Sequence, residues 1–384
     1  MNAKENYQTI LDSIFGSGAV CIQIDDSWNN ITGALNDAGN YGVFADNFKK
    51  RLERIRNNYS GTDAFKHIQT LLAEVANPRW ANYTGAYAEL SAYDCLQSPM
   101  LKQAIVMDKD VDANDTYALQ MGKTVTNADG YFAEFDAYFD VKRMADNARI
   151  LANNIIEAAR KKASVKSNVL INAEYQIDTD YAFFEEHFAD FVNELADELS
   201  THCRTFTSNI YPVTFKVSTN GMVSTTSTYN PEEHAKNILH QLFSYTNKFV
   251  KNKPFFLVLV KFPWYNNLVN SNWDYNQKFY AELAHIFFND YDSKPDLMTS
   301  MISHYKGSET IDEITRKVTG IIFIDDQCIL GDTGSLTQTQ AFVFMNHRAD
   351  NSVTSDMDNY LKSLKQSGSN GVRSEEHTSE LQSR

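Results

Sequence analysis

Two short runs of alternating residues, roughly Thr124–Phe132 and Ala137–Lys142, carry the side chains best suited to chemistry. On the second run Asp140 and Lys142 are two positions apart, so both leave the same strand face with Tyr138, while Phe139 and Val141 pack on the other. If the runs form a hairpin closed around Glu134-Phe135, Asp129 stands opposite Asp140. Opposed side chains lie about 5 Å apart, where like charges repel. Two carboxylates so placed require a cation between them. Mg²⁺ (or Mn²⁺) fits: it prefers oxygen ligands, uses one or two carboxylates, and completes its shell with water and substrate phosphate. Asp136 is the rival ligand on that face, but four residues along a strand is roughly 13 Å, too far for one ion. Glu-Phe is a poor two-residue turn; a four-residue loop, Ala133–Asp136, keeps the same pairing.

The elements that must hold these residues follow from periodicity. Residues 1–80 read as helical, with the clearest segments at Asn6–Ile14, Phe48–Asn58 and Thr62–Ala76. Beyond Pro78 come a helix at Tyr83–Gln97, a short strand at Gln103–Met107 and an acidic loop from Asp108 to Asp115. The two alternating runs are next, then a helix near Asp146–Lys162 and a buried strand at Asn168–Ile177. The remainder is also α/β. It comprises a helix at Tyr181–Thr201, a hairpin of Val213–Val217 and Met222–Thr228 through Asn220-Gly221, and a helix from Pro231 to Val250. A strand at Phe255–Lys261, a helix at Asn276–Phe288, and strands at Thr319–Asp325 and Ala341–Met345 complete it.

The order helix, three strands, helix, strand resembles the PD-(D/E)XK nuclease superfamily, the fold of many restriction endonucleases. The family motif, an Asp on one strand and (Asp/Glu)-x-Lys on the next, corresponds to Asp129-Gly130 and Asp140-Val-Lys142, although no Pro precedes Asp129. Glu89, in Gly85-Ala-Tyr-Ala-Glu-Leu, matches the acidic residue often found on the first helix and shares a helical face with Ala86, Ala92 and Tyr93. The resemblance covers residues 82–177. It implies an α/β, restriction-endonuclease-like αβββαβ core, preceded by the helical region 1–80 and followed by an α/β elaboration over 178–350 and a polar tail over 351–372. It also implies a Mg²⁺-dependent nuclease that hydrolyses phosphodiester bonds, acts on nucleic acid (DNA first) and serves in restriction or defence. Asp129, Asp140 and Glu89 would be the metal ligands. Lys142 would orient or deprotonate the attacking water and neutralise charge on the phosphoryl group. The alternative is a catalytically inactive nuclease-fold protein that binds nucleic acid or protein; a homodimer is one option for its assembly.

Composition bounds these readings. The net charge of −14 argues against non-specific coating of DNA. Charge is uneven, however: Lys142–Lys166 is rich in basic residues and Tyr181–Ser200 in acidic ones, which leaves room for a basic cleft. No apolar run reaches membrane-spanning length, no signal-peptide pattern opens the chain, and Cys21, Cys95, Cys203 and Cys328 lack metal or disulfide spacing. A cytoplasmic protein with reduced thiols is expected. Residues 373–384 resemble a translated sequencing adapter rather than evolved protein, so they should make almost no buried contacts. His234 and His240 have the wrong spacing for a helical metal pair, and Gly16-Ser-Gly18 lacks the third glycine and Lys of a phosphate loop. Lys248, Lys251, Lys253 and Lys261 read as solvated lysines that could also touch nucleic acid, and Glu174 and Asn172 share a strand face without a role.

Overall fold

The computed structural model describes residues 2–144, 147–164, 169–174, 186–210, 213–218, 231–262, 273–289, 305–326 and 339–366. The hairpin strand Met222–Thr228, its Asn220-Gly221 turn and the adapter-like tail lie outside the described residues. The chain divides into two compact units: Met1–Met144 with Gln241–Trp273 and Ala284–Arg384, and Ala145–His240 with Asp274–Leu283.

The first unit is α/β. Its helices are α1 (Ala3–Phe15), α2 (Asn30–Asn36), α3 (Ala38–Tyr59), α4 (Ala64–Glu74) and α5 (Trp80–Leu96). Strands β1 (Val106–Val111), β2 (Thr126–Phe132) and β3 (Ala137–Met144) follow. The start of α1 is fixed by a capping box in which Asn2 and Glu5 each take the other's backbone N–H.

The second unit holds α6 (Asn147–Ala163), β4 (Leu170–Glu174), α7 (Phe188–Thr201), β5 (Phe206–Thr207) and β6 (Thr214–Ser218). Its strands form a three-stranded antiparallel sheet in the order β4-β6-β5. Leu151, Ile155, Ile156 and Ala159 of α6 pack with Phe191 and Leu195 of α7 and Phe215 of β6 in a separate core. Helix α8 (Pro231–Phe243) then leads towards β7 (Phe255–Lys261), α9 (Trp273–Asn289), α10 (Ile311–Thr315), β8 (Gly320–Asp325), β9 (Gln340–Met345) and α11 (Ser355–Gln366).

The large sheet has the order β1-β2-β3-β7-β8-β9. β1, β2 and β3 form an antiparallel meander, β3, β7 and β8 run parallel, and β9 closes the far edge antiparallel to β8. Parallel strands covered on both faces become unbroken apolar runs, and every residue of Phe255–Lys261 and Gly320–Asp325 is buried. One face, with Phe132, Phe139, Val141, Phe256, Val258 and Ile322, packs on α1–α5. The N-terminal helices therefore share the sheet's core instead of forming a region of their own.

Several expectations change. Asn168–Ile177, expected as the strand that completes the core, contributes β4 to the small sheet, where Leu170 is 41% exposed. The parallel neighbour of β3 is β7, so the 82–177 boundary does not match a unit boundary. Asp108–Val111 belong to β1, not to an acidic loop; its charged residues suit an edge strand, which unpaired charge protects from further pairing. The helix from Pro231 stops at Phe243, and a single 3-10 turn, Thr246–Lys248, follows. The tail proposed for 351–372 contains α11, whose Met357, Tyr360, Leu361 and Leu364 recur at helical spacing and are buried in the core. Tyr360 also donates to the Leu96 carbonyl (2.6 Å) and meets Phe132 and Phe135.

Candidate active site

The β2–β3 hairpin has the register expected from its pattern: Phe132 pairs with Ala137, Tyr131 with Tyr138 and Gly130 with Phe139, around the turn Ala133–Asp136. Asp136 accommodates that turn with a positive φ of 50°. Gly130 is required by crowding, because a Cβ there would lie 1.9 Å from the Phe139 ring. One step further, Asp129 Oδ2 accepts the Val141 N–H (2.8 Å), so the carboxylate takes a donor from the neighbouring strand. The Asp129 carbonyl is held from α5, where Tyr93 Oη donates to it (2.7 Å).

Asp140 lies on the face opposite the helical core and is fully buried. Its Oδ2 is 2.5 Å from Lys142 Nζ, which is also 3.7 Å from Asp129 Oδ2. A second ammonium comes from the 3-10 turn: Lys248 Nζ is 3.8 Å from Asp140 Oδ1 and 4.0 Å from Asp129 Oδ1. Both ammonium groups have neutral supports. Lys248 donates to the Asn127 carbonyl (2.6 Å) and Oδ1 (2.5 Å), and Lys142 sits 5.1 Å from the centre of the Tyr245 ring. The side chains of Asp129, Lys142 and Lys248 remain 16–19% exposed, so the cluster opens to solvent on one side.

The electrostatics follow from this packing. Burial first, and the Asp129 charge second, push the Asp140 carboxyl up to about 7. Burial disfavours the charged form of Lys142, but Asp140 and Asp129 outweigh it and hold the ammonium protonated well beyond its ordinary range. Glu89 is also raised, chiefly by burial, with Asp129 adding to the shift and His67 opposing it.

The structure thus brings Asp129, Asp140 and Lys142 together and gives Glu89 a different setting. The Glu89 Oε2 atom is 3.3 Å from His67 Nε2 and 3.5 Å from Tyr93 Oη. Among the described residues, no three His, Cys, Asp or Glu side chains gather into a metal-holding group, so Glu89 does not complete a ligand triad with the two aspartates. Asp136 bonds Lys253 and Tyr131, as its distance along the strand required. Glu174 pairs with Lys216 within the small sheet. His234 is a buried residue stacked on Phe279 (4.2 Å between ring centres). Lys251 lies over the Tyr117 ring, and Lys261 is sealed against Asp325.

Asn127 and Tyr245 are the site residues that sequence reasoning missed; Lys248, read as a solvated lysine that could touch nucleic acid, was not placed beside the two aspartates. Asn127 was within reach, since it shares a face of β2 with Asp129; Lys248 lies 121 residues from its partner Asn127 and has no local signature.

The donor set fits a hard divalent cation. It is all oxygen, it supplies two carboxylates, and both Asp140 oxygens are buried without a well-formed hydrogen bond. Two carboxylates are also the complement with which Mg²⁺ ordinarily works when substrate and water supply the rest. The chain matches no family model, no curated protein and no solved structure. Among the described residues no helix is long and apolar enough to cross a membrane.

Proposed function

We propose that the chain is a divalent-metal-dependent phosphodiester hydrolase, a nuclease of the PD-(D/E)XK kind. The observation that carries this reading is the buried Asp140 beside Lys142 on β3, facing Asp129 at the point where β2 and β3 part. The mixed sheet is compatible with it: β3 pairs antiparallel with β2 and parallel with β7.

Asp129 and Asp140 would hold the ion. When bound, such an ion lowers the pKa of a coordinated water and polarises a phosphate oxygen. The chain's own groups do the remainder. Lys142 and Lys248 place positive charge where the phosphoryl group gains negative charge in the transition state. Glu89, with its proton affinity raised, can receive a proton from an attacking water at the cluster's edge. His67 and Tyr93 fix the direction of its carboxylate.

A nuclease assay with Mg²⁺ or Mn²⁺ on single- and double-stranded DNA and on RNA tests the reading. Cleavage that stops with EDTA and is lost in Asp140→Asn and Lys142→Ala supports it. Equal cleavage by wild type and Lys142→Ala at matched purity would assign the activity to a contaminant. A second reading, an inactive nuclease-fold binding protein, draws on the two ammonium groups, which already balance the two carboxylates without a metal. Nucleic-acid binding without metal-dependent turnover is its signature.

A further inference from the structure

The position a divalent cation would take between Asp129 and Asp140 is bordered by two ammonium groups. Lys142 Nζ lies 2.5 Å from Asp140 and 3.7 Å from Asp129, and Lys248 Nζ lies 3.8 Å and 4.0 Å from the same two residues. With both carboxylates ionised, their two negative charges balance the two ammonium groups. Neither ammonium depends on the carboxylates alone for its position. Lys248 is tied to the Asn127 carbonyl and Oδ1, and Lys142 rests on Tyr245.

We propose that Lys142 and Lys248 are resident counter-ions that make metal capture conditional on an anionic phosphodiester. A divalent ion entering alone would take the carboxylates from both lysines and leave two excess positive charges in a half-buried site. Charges a few ångströms apart at a protein surface interact strongly enough to oppose that entry. A phosphodiester arriving with the ion offsets one of those two charges, and the lysines, still held by Asn127 and Tyr245, face its oxygens instead. Metal and substrate then bind with reciprocal positive coupling, each tightening the other by the same factor. The Lys248–Asn127 contact is the device that keeps the second charge in place. This inference rests on the metal-site reading above, and it predicts binding behaviour that does not require turnover.

The test is a Mn²⁺ titration of the full chain, read by electron paramagnetic resonance, with and without dimethyl phosphate, a phosphodiester that binds Mn²⁺ poorly in bulk water. Wild type should bind Mn²⁺ several-fold tighter with the diester present. Lys248→Met should bind Mn²⁺ alone at least about tenfold tighter than wild type, with the diester effect reduced. Lys248→Gln should behave the same way, guarding against a packing artefact of Met, and Lys248→Arg should resemble wild type. Unchanged or weaker Mn²⁺ binding in both neutral variants, each folded as wild type, overturns the proposal while leaving the metal site standing. Equal wild-type affinity with and without diester also overturns it. Absence of Mn²⁺ binding in wild type and in both neutral variants removes the metal reading itself, and this inference with it.

Discussion

One face of the large sheet carries two groupings of Asp and Lys that solve the problem of buried charge differently. β3 and β7 lie in register, so the face that bears Asp140 and Lys142 continues through Met144 to Lys261, and from Lys261 across to Asp325 on β8. Lys261 and Asp325 are one acid and one base, 2.5 Å apart and wholly sealed. The Asp129–Asp140 cluster sets two acids against each other, recruits two bases, and stays partly open. A sealed, matched pair offers no position for a ligand and acts on stability and register. An open cluster with internal repulsion keeps a carboxyl poised near neutrality, the condition expected of a reactive site.

The largest effect should fall on the sealed pair. Lys261→Met removes the ammonium paired with the buried Asp325 and should be the most destabilising of these changes in urea denaturation, by about 3 kcal/mol; the double variant Lys261→Met/Asp325→Leu should recover most of that loss. A small effect of the single change would erase the contrast between the two groupings. Next, Asp140→Asn should reduce metal-dependent turnover by a factor on the order of 10³ while leaving the metal-free protein at least as stable as wild type, because it removes a charge disfavoured first by burial and then by the Asp129 carboxylate. Strong destabilisation would place Asp140 with the structural pair.

The same residue fixes a pH dependence. Folding raises the Asp140 pKa from 3.8 to about 7, so the folded state holds this proton more tightly than the unfolded chain. Its contribution to stability is full below the unfolded value and is lost as pH rises through the folded one. Without metal, wild type should lose stability between about pH 4 and pH 7 relative to Asp140→Asn; parallel curves would show that Asp140 titrates normally. The smallest effect concerns support: Gly130→Ala presses a methyl into Phe139 and should cost about 1–3 kcal/mol, with turnover falling further than stability because Asp129 shifts. Unchanged turnover would separate the hairpin's packing from the site.

The hairpin was legible because its alternation, its acid-x-Lys spacing and its short turn all specify one register, and β7 was legible as an unbroken apolar run. The neighbour of β3 was not. Two segments, Asn168–Ile177 and Phe255–Lys261, both read as strands, and nearness in sequence favoured the first. The deciding difference is burial: β7 is covered on both faces, whereas β4 alternates with polar residues and belongs to a half-exposed sheet. Helix α11 was readable from Met357, Tyr360, Leu361 and Leu364, but the polar residues between them hid the spacing. Asp129, Asp140 and Lys142 were brought together by local strand geometry, while Lys248 and Asn127 meet only through the tertiary fold.

The distance in sequence between β3 and β7 has a consequence for how the protein matures. β1, β2 and β3 are consecutive in the chain, with a tight turn between β2 and β3, and can pair as a local unit, whereas the β3–β7 edge must wait for chain ends separated by an entire second unit to meet. Closing so long a loop is entropically unfavourable, by an amount that grows slowly with its length, and contacts of high sequence separation slow folding. Three of the cluster's four charged residues, Asp129, Asp140 and Lys142, therefore lie in an early meander, while Lys248 arrives with the segment that completes the sheet. Until then two carboxylates share one lysine, and the nascent sheet edge is exposed to pairing with other chains. Pulse-labelled hydrogen exchange during refolding should show β2 and β3 amides protected before those of β7, with divalent cations accelerating the first phase more than the second.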